Sequence, residues 1–323
     1  MLTFQGATVS RAPFTRNFVS ALDRITTGMA RETGMAAAYD DRDGWIWMDG
    51  GLVPWREANV HVLTHALHYA SSVFEGERCY NGRIFKGHEH SIRLRRSAEL
   101  LDMEIPYTAE EIDAAKEEAL RANGLTDAYV RCIAWRGAGE DMGVAARRNP
   151  IRMAVAVWNW GNYYGDAKSK GAKLDIAKWK RPSPETIPSE AKAAGLYMIC
   201  TMSKHAAEAK GCSDAMMMDY RGYVAEATGV NIFFVKDGEV HTPLADCFLN
   251  GLTRQTVIGM LEDRQIKVHE RHIEPGELEG FEQCWLTGTA AEVTPVGQIG
   301  DYSFEVGQMT RDIAQAYEKL VRA

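Results

Sequence analysis

Two-residue glycine turns are the feature that most limits how this chain can fold. Asp49-Gly50, Arg221-Gly222 and Asp237-Gly238 each sit between two runs of strand-forming residues, where a glycine lets the chain double back into a hairpin. Trp45 to Val53, Ala215 to Glu226 and Asn231 to His241 therefore predict antiparallel strand pairs. Ala128 to Trp135 and Ile151 to Trp160 read as further strands, and Gln283 to Leu286 as another.

Helix signals fall between the strands. Thr108-Ala109-Glu110-Glu111 is a capping box, and the helix it opens runs to the stop signal Asn123-Gly124. Leu196 to Lys210 suits a helix ended by Gly211, and Gly251-Leu252-Thr253-Arg254 opens one towards Leu261. The expected class is α/β of the α+β kind, and the lack of a 20 to 50 residue period argues against a solenoid.

Size and charge narrow the function classes. The 323 residues are 46% hydrophobic, which excludes a disordered chain or a lone binding module and predicts two domains. We place a disordered extension at 1–34, a small α+β domain at 35–157, an interdomain loop at 158–168 around Gly161-Asn162-Tyr163-Tyr164-Gly165, and a large domain at 169–323. The net charge of -7 would repel phosphate backbones, so no nucleic acid is expected as partner.

Location follows from what is missing. The six cysteines form no C-x-x-C pair, so they are read as reduced thiols without a metal. No apolar run approaches the roughly 20 residues of a membrane span, and Met1 to Gly6 starts no secretory signal. A cytoplasmic protein without membrane contact is expected. Arg11, Arg16, Arg24 and Arg31, with Phe14, Phe18, Leu22 and Ile25 on one helical face, leave an organellar transit peptide open as the alternative.

Five stretches invite a chemical reading. Gly137 to Gly143 follows a strand, but its glycine spacing is wrong for a dinucleotide loop, so it reads as a plain loop. His88-Glu89-His90 would point different ways on a helix, which suits surface or capping roles and no metal. Lys192, in Pro188-Ser189-Glu190-Ala191-Lys192-Ala193-Ala194-Gly195-Leu196-Tyr197, is different: small neighbours leave room for a large flat group to reach its amine, the setting for Schiff-base chemistry. Gly251 to Arg254 offers free amides and a hydroxyl at a helix start, which suits a phosphate, and Thr287-Gly288-Thr289-Ala290 offers a second such cradle. Taken singly, a solvated lysine and ordinary helix caps explain them as well.

Their order says more. Ser72-Val73-Phe74-Glu75-Gly76, Ala191 to Gly195, Gly222-Tyr223-Val224-Ala225-Glu226 with Asn231-Ile232-Phe233, Gly251 to Arg254, and Thr287 to Val296 follow one another along the chain. This row resembles the class IV aminotransferases, the fold-type IV pyridoxal-phosphate enzymes, and most closely the branched-chain amino acid aminotransferases. The resemblance runs from about Trp45 to the C-terminus.

The resemblance implies pyridoxal 5'-phosphate as cofactor. Lys192 would hold it covalently and move the proton at the substrate Cα, Glu226 would keep the ring nitrogen protonated, and Tyr197 would bond the phenolic oxygen. Arg93, the Leu252 amide, Thr253 and Thr289 would hold the phosphate. Tyr69, Phe74, Tyr129, Val144, Trp160 and Tyr163 would wall the side-chain pocket. Arg131 would take a distal carboxylate, and Thr289 and Ala290 the α-carboxylate. Read without the family, Glu226 is a strand-end carboxylate, Arg93 shares a basic helix face with Arg95 and Arg96, and the aromatics fill cores.

The implied activity is a ping-pong transamination in amino-acid metabolism, such as branched-chain amino acid biosynthesis. L-Leu, L-Ile or L-Val would leave as 2-oxo acids, and 2-oxoglutarate would leave as L-glutamate. A homodimer or larger homo-oligomer is implied, with the site near the subunit interface. Four features depart from the family pattern: Glu77 in place of an aliphatic residue, Leu196 in place of Asn, Asn250 before Gly251, and a loop at Gly137 to Gly143 one residue longer. A D-amino acid or (R)-amine transaminase, an aminodeoxychorismate lyase, or a non-catalytic cofactor-binding protein would share Lys192 and Glu226; Arg131 favours the branched-chain reading.

Overall fold

In the computed structural model, which describes residues 38–160 and 170–323, the strands assort into two sheets. Both lie within the unit Gly44–Ala323; before it, residues 38–43 form a turn. The extension read over 1–34 and the loop from Gly161 to Lys168 lie outside the described residues.

The first sheet is antiparallel throughout, in the order β2-β1-β6-β5-β3-β4. β1 (Trp45–Met48) and β2 (Gly51–Pro54) are the expected hairpin, and Asp49 and Gly50 both take positive φ, as a tight two-residue turn requires. A short helix, α1 (His65–Tyr69), precedes the long central strand β3 (Ser72–Tyr80), which turns into β4 (Arg83–Ile84). β5 (Ala128–Arg136) and β6 (Ile151–Trp158) complete the sheet, β6 ending two residues before the expected Trp160.

Two helices cover one face of this sheet. α2 spans Gly87–Glu99 and α3 spans Ala109–Ala122, with the Thr108/Glu111 capping box formed at the start of α3 as its sequence predicts. Leu94 and Ala98 of α2 and Ile112 and Ala119 of α3 pack with Val73, Val130, Val155 and Met153 of the strands. Ala191, Ala193 and Leu196 join the same core, although they belong in sequence to the second half of the chain.

The second sheet has the order β12-β11-β10-β13-β14-β7-β8-β9, with β15 (Tyr302–Ser303) attached to β14. β7 (Ala172–Ile176) lies parallel to both β14 (Glu292–Ile299) and β8 (Asp214–Met218), and β8 pairs antiparallel with β9 (Val224–Ala227). β10 (Asn231–Lys236) turns at Asp237-Gly238 into β11 (Glu239–Pro243) and pairs with β13 (Gln283–Gly288), while β12 (Val268–Arg271) runs parallel to β11. β9 packs against β10, so the sheet curls back towards itself.

Among the described residues, three helices dress it. The expected helix from Leu196 starts as a 3-10 turn, Ala194–Tyr197, and becomes α4 only at Met198–Glu208. α5 (Leu252–Glu262) and the amphipathic α6 (Gln308–Val321) pack Val257, Leu261, Ile313 and Tyr317 against Phe233 and Trp285. Among the described residues, no helix is long and apolar enough to cross a membrane, and all six cysteines are buried and unpaired in disulfides.

Between the first sheet and its helices lies a buried charge network. Glu75, Glu77 and Cys79 alternate onto the helix side of β3, the opposite side from Phe74 and Gly76. Glu77 is fully buried, and its Oε2 accepts from Lys116 Nζ of α3 at 2.8 Å; Lys116 also donates to the Gly87 carbonyl at 2.7 Å. The unusual carboxylate is therefore neutralised by a lysine from across the helix layer. Lys116→Met should strand that charge and cost about 3–5 kcal/mol, whereas Lys116→Met with Glu77→Ile should recover most of the loss; urea unfolding of the full chain measures both.

Candidate active site

The chain around Lys192 is tied to the first sheet and its helix α2 at three points. Phe74 N donates to the Lys192 carbonyl at 3.1 Å, Lys192 N donates to Ser97 Oγ at 3.0 Å, and Val73 forms a bridge with Ala193. With Ala191, Ala193 and Leu196 buried in the core, the Lys192 side chain is turned outward. Its Nζ donates to the Tyr197 hydroxyl at 2.8 Å and lies 4.9 Å from the centre of the Phe74 ring. The small residues read from the sequence thus form a strap that presents one amine.

That amine sits where two cavities share walls. The larger, of about 480 Å³, brings together Phe74, Tyr129, Arg131, Trp160, Thr289 and Ala290 with Arg93, Lys192 and Tyr197. A narrower one, of about 50 Å³, has Arg93, Lys192, Tyr197 and Thr289 in common with it and adds Glu226, Leu252 and Thr253. Tyr69 and Val144 are placed elsewhere, in the wall of a separate cavity of about 570 Å³ behind Ala193 and Gly195. Tyr163 lies outside the described residues.

The narrow cavity is built for an anion. α5 begins at Leu252 with Gly251 as its N-cap and no side chain bonded there, leaving first-turn amides directed at the cavity. A Cβ at Gly251 would collide with the Asn231 side chain, and one at Gly288 would come within 2.6 Å of Val230, so glycine keeps both backbones close. Arg93 Nη1 and Thr287 Oγ1 are buried without a protein partner, and both residues line this cavity. Buried donors left open in this way call for an acceptor, and a phosphate supplies several oxygens.

Arg93 is not part of a solvated basic helix face. Its Nε and Nη2 each donate to a different oxygen of fully buried Glu75, both at 2.7 Å. His90, expected at the surface, is instead buried, with its Nδ1 2.7 Å from Glu75 Oε2; His88, beside Asp113, and Glu89 are on the outside as expected. One turn of α2 separates His90 from Arg93, so both reach the same strand residue.

At the other end lies Glu226 on β9. It is buried, accepts from Asn231 Nδ2 at 3.0 Å, and has Arg181 Nε 3.3 Å from its Oε1. Burial pushes its carboxyl up to about 7, even though Arg181, Lys192 and Arg254 pull it down. Arg181 is invisible in the sequence: Lys180-Arg181-Pro182 carries no motif, and only the fold brings it beneath Glu226 and Cys200. A flat heterocycle bearing a phosphate at one end and a basic nitrogen at the other fits this donor set, with Lys192 and Tyr197 between.

The larger cavity has an aromatic wall with Arg131 set against it. Tyr129 stacks on Trp160 with ring centres 4.4 Å apart, and Trp158 lies 6.0 Å from Trp160. Arg131, one pleat beyond Tyr129 on β5, donates from Nη2 to the Tyr129 hydroxyl at 3.1 Å and lies 5.0 Å over the Phe74 ring. Gly76 is required opposite: a Cβ there would overlap the Tyr129 hydroxyl.

The raised Glu226 carboxyl has a sign that can be tested. Unfolded, the group titrates near its ordinary 4.5, so between there and about 7 the folded, cofactor-free chain holds a proton that the unfolded chain has released. The stability it contributes is full below the lower value and lost as pH rises through the upper one. Relative to Glu226→Gln, the cofactor-free wild type should lose about 3 kcal/mol over that window, read from urea midpoints across pH.

Known proteins resemble this chain in sequence and fold. The family model for amino-transferase class IV matches residues 72–299. A probable branched-chain-amino-acid aminotransferase of Rickettsia felis is 39% identical over 282 residues, covering 86% of this chain and 96% of the relative. The branched-chain-amino-acid aminotransferase of Pseudomonas aeruginosa is 39% identical over 289 residues, with 87% and 94% covered. Among solved structures, the T.th. branched-chain amino acid aminotransferase complexed with N-(5'-phosphopyridoxyl)-L-glutamate superposes with a TM-score of 0.82 at 38% identity, covering 87% of this chain and 95% of that one. By sequence over most of its length and by the fold that carries Lys192, the chain belongs to the class IV aminotransferases.

Proposed function

We propose that this protein is a branched-chain amino acid aminotransferase that uses pyridoxal 5'-phosphate to exchange amino groups between L-Leu, L-Ile or L-Val and 2-oxoglutarate. The observation that carries the reading is Lys192 Nζ, held 2.8 Å from the Tyr197 hydroxyl where an anion cradle meets an aromatic cavity containing Arg131. The names of the relatives point to the same substrates, and the phosphopyridoxyl-glutamate complex of the T.th. enzyme supports glutamate as the partner amino acid.

When bound, pyridoxal phosphate supplies an electron sink for the carbanion at Cα and a carrier for the amino group. Arg93, Thr253, Thr289 and the Leu252 amide would hold its phosphate, Glu226 its ring nitrogen and Tyr197 its phenolic oxygen. Lys192 would attach it and then move the proton at the substrate Cα; the Tyr197 hydroxyl keeps the amine within reach of that position. Phe74, Tyr129 and Trp160 exclude water from a branched side chain, and the amides of Thr289 and Ala290 orient the α-carboxylate. Arg131 lets the same pocket receive the distal carboxylate of 2-oxoglutarate or glutamate.

The reading includes a homodimer. Tyr69 and Val144 stand apart from Lys192 within the chain, and Val144 is 82% exposed. With Val62, Leu63 and Leu67 they form an exposed apolar surface, and a second copy covering it would receive Tyr69 and Val144 at its own site. The two sheets would be the cores of the two domains, and six unpaired thiols suit the reducing cytoplasm.

The decisive experiment adds L-leucine, without an oxo acid, to the purified protein and follows its visible absorption. The band should move to shorter wavelength as 4-methyl-2-oxopentanoate is released, and Lys192→Ala should slow this by about a thousandfold or more. A band inert to L-leucine but consumed by a D-amino acid or an (R)-amine would transfer the protein to those substrates. Arg131→Ala should lower kcat/KM for 2-oxoglutarate about 10- to 100-fold more than for 4-methyl-2-oxopentanoate, because only the former brings a second carboxylate; equal losses would remove Arg131 from that role.

A further inference from the structure

We infer that Glu75, on the side of β3 turned away from both cavities, is a positioning residue that aims Arg93 at the cofactor phosphate; the inference rests on the pyridoxal-phosphate reading above.

Glu75 has no exposed surface, and its carboxylate oxygens are spent on α2. Oε1 accepts from Arg93 Nε, and Oε2 accepts from Arg93 Nη2 while lying 2.7 Å from His90 Nδ1. This two-point grip fixes the plane of the guanidinium, because a fork held by parallel bonds has no remaining rotation. It consumes two of the three nitrogens. The third, Nη1, is buried without a protein partner, on a side chain that walls both cavities.

The grip is electrostatic as well as geometric. Burial alone would raise the Glu75 carboxyl, but Arg93 and then His90 hold it well below the usual carboxylate range. Glu77, two residues on and facing the same way, is a like charge that would compete for both partners; Lys116 Nζ occupies its Oε2 at 2.8 Å. Arg93 is left to Glu75.

A residue that merely braced α2 against β3 would affect every ligand of the site equally, whereas one that acts through Arg93 must discriminate by phosphate. The test compares Glu75→Gln with the wild-type full chain for binding of pyridoxal 5'-phosphate and of pyridoxal, which lacks the phosphate, using the visible band formed with Lys192. The variant should bind pyridoxal phosphate about 10- to 100-fold more weakly and pyridoxal as the wild type does. In an Arg93→Met background, Glu75→Gln should add no further loss. Equal weakening of both ligands, or of neither, would overturn the assignment. If the glutamine variant is recovered only as insoluble protein, Glu75→Asp asks the same question with the charge kept and the carboxylate withdrawn by one methylene. A selective loss of several-fold is expected, and wild-type affinity for pyridoxal phosphate would overturn it. Failure of the wild-type chain to bind either ligand would instead refute the cofactor reading itself.

Discussion

A short strap of small residues holds this architecture to its chemistry. Residues 191–197 belong in sequence to the second half of the chain, yet they are pinned by a bond to Phe74 and a bridge to Val73 on β3, and by a bond to Ser97 Oγ on α2. Bulkier side chains at 191 or 193 would push the strap off the first sheet, where both alanines are packed in the core. The position of one amine thus depends on close backbone approach between the strap and β3, which explains why its neighbours carry so little side chain.

At each end of the narrow cavity beside that amine, one charge is matched by an opposite charge behind it. Arg93 is backed by Glu75, and Glu226 has Arg181 beneath it. A lone buried ion is expensive, and a paired one keeps its field while losing its freedom to turn. The polarity is reversed at the two ends of the narrow cavity, so the site presents a positive end and an acidic end along one line. Such a frame suits a ligand with a fixed dipole better than one that is merely flat and charged.

The ordered motifs made the fold and most of the site legible. Hairpin turns at Asp49-Gly50 and Asp237-Gly238 and the Thr108 capping box depend on a few adjacent residues, so they survive reading one position at a time. Long-range pairing does not leave such a trace. His90 reads as a surface residue because its partner is fifteen positions earlier on a strand, and Arg181 meets Glu226 across forty-five residues. Glu77 looks out of place until Lys116 is seen beside it. The start of α4 escapes for another reason: the strap enters it through a 3-10 turn, a geometry that helical periodicity does not distinguish.

The contact between Gly76 and Tyr129 has a consequence for how such a pocket can diversify. A side chain at position 76 would displace the Tyr129 hydroxyl, and that hydroxyl is also the acceptor that steadies Arg131. The aromatic wall and the cation are therefore not separate dials. A lineage that enlarged residue 76 would lose both at once, so changes in the aromatic wall that leave Arg131 in place are more accessible through Phe74, whose ring offers Arg131 no hydrogen bond, or through Trp160 on the far side of Tyr129. One missing methyl group keeps the aromatic wall and Arg131 on a single evolutionary path.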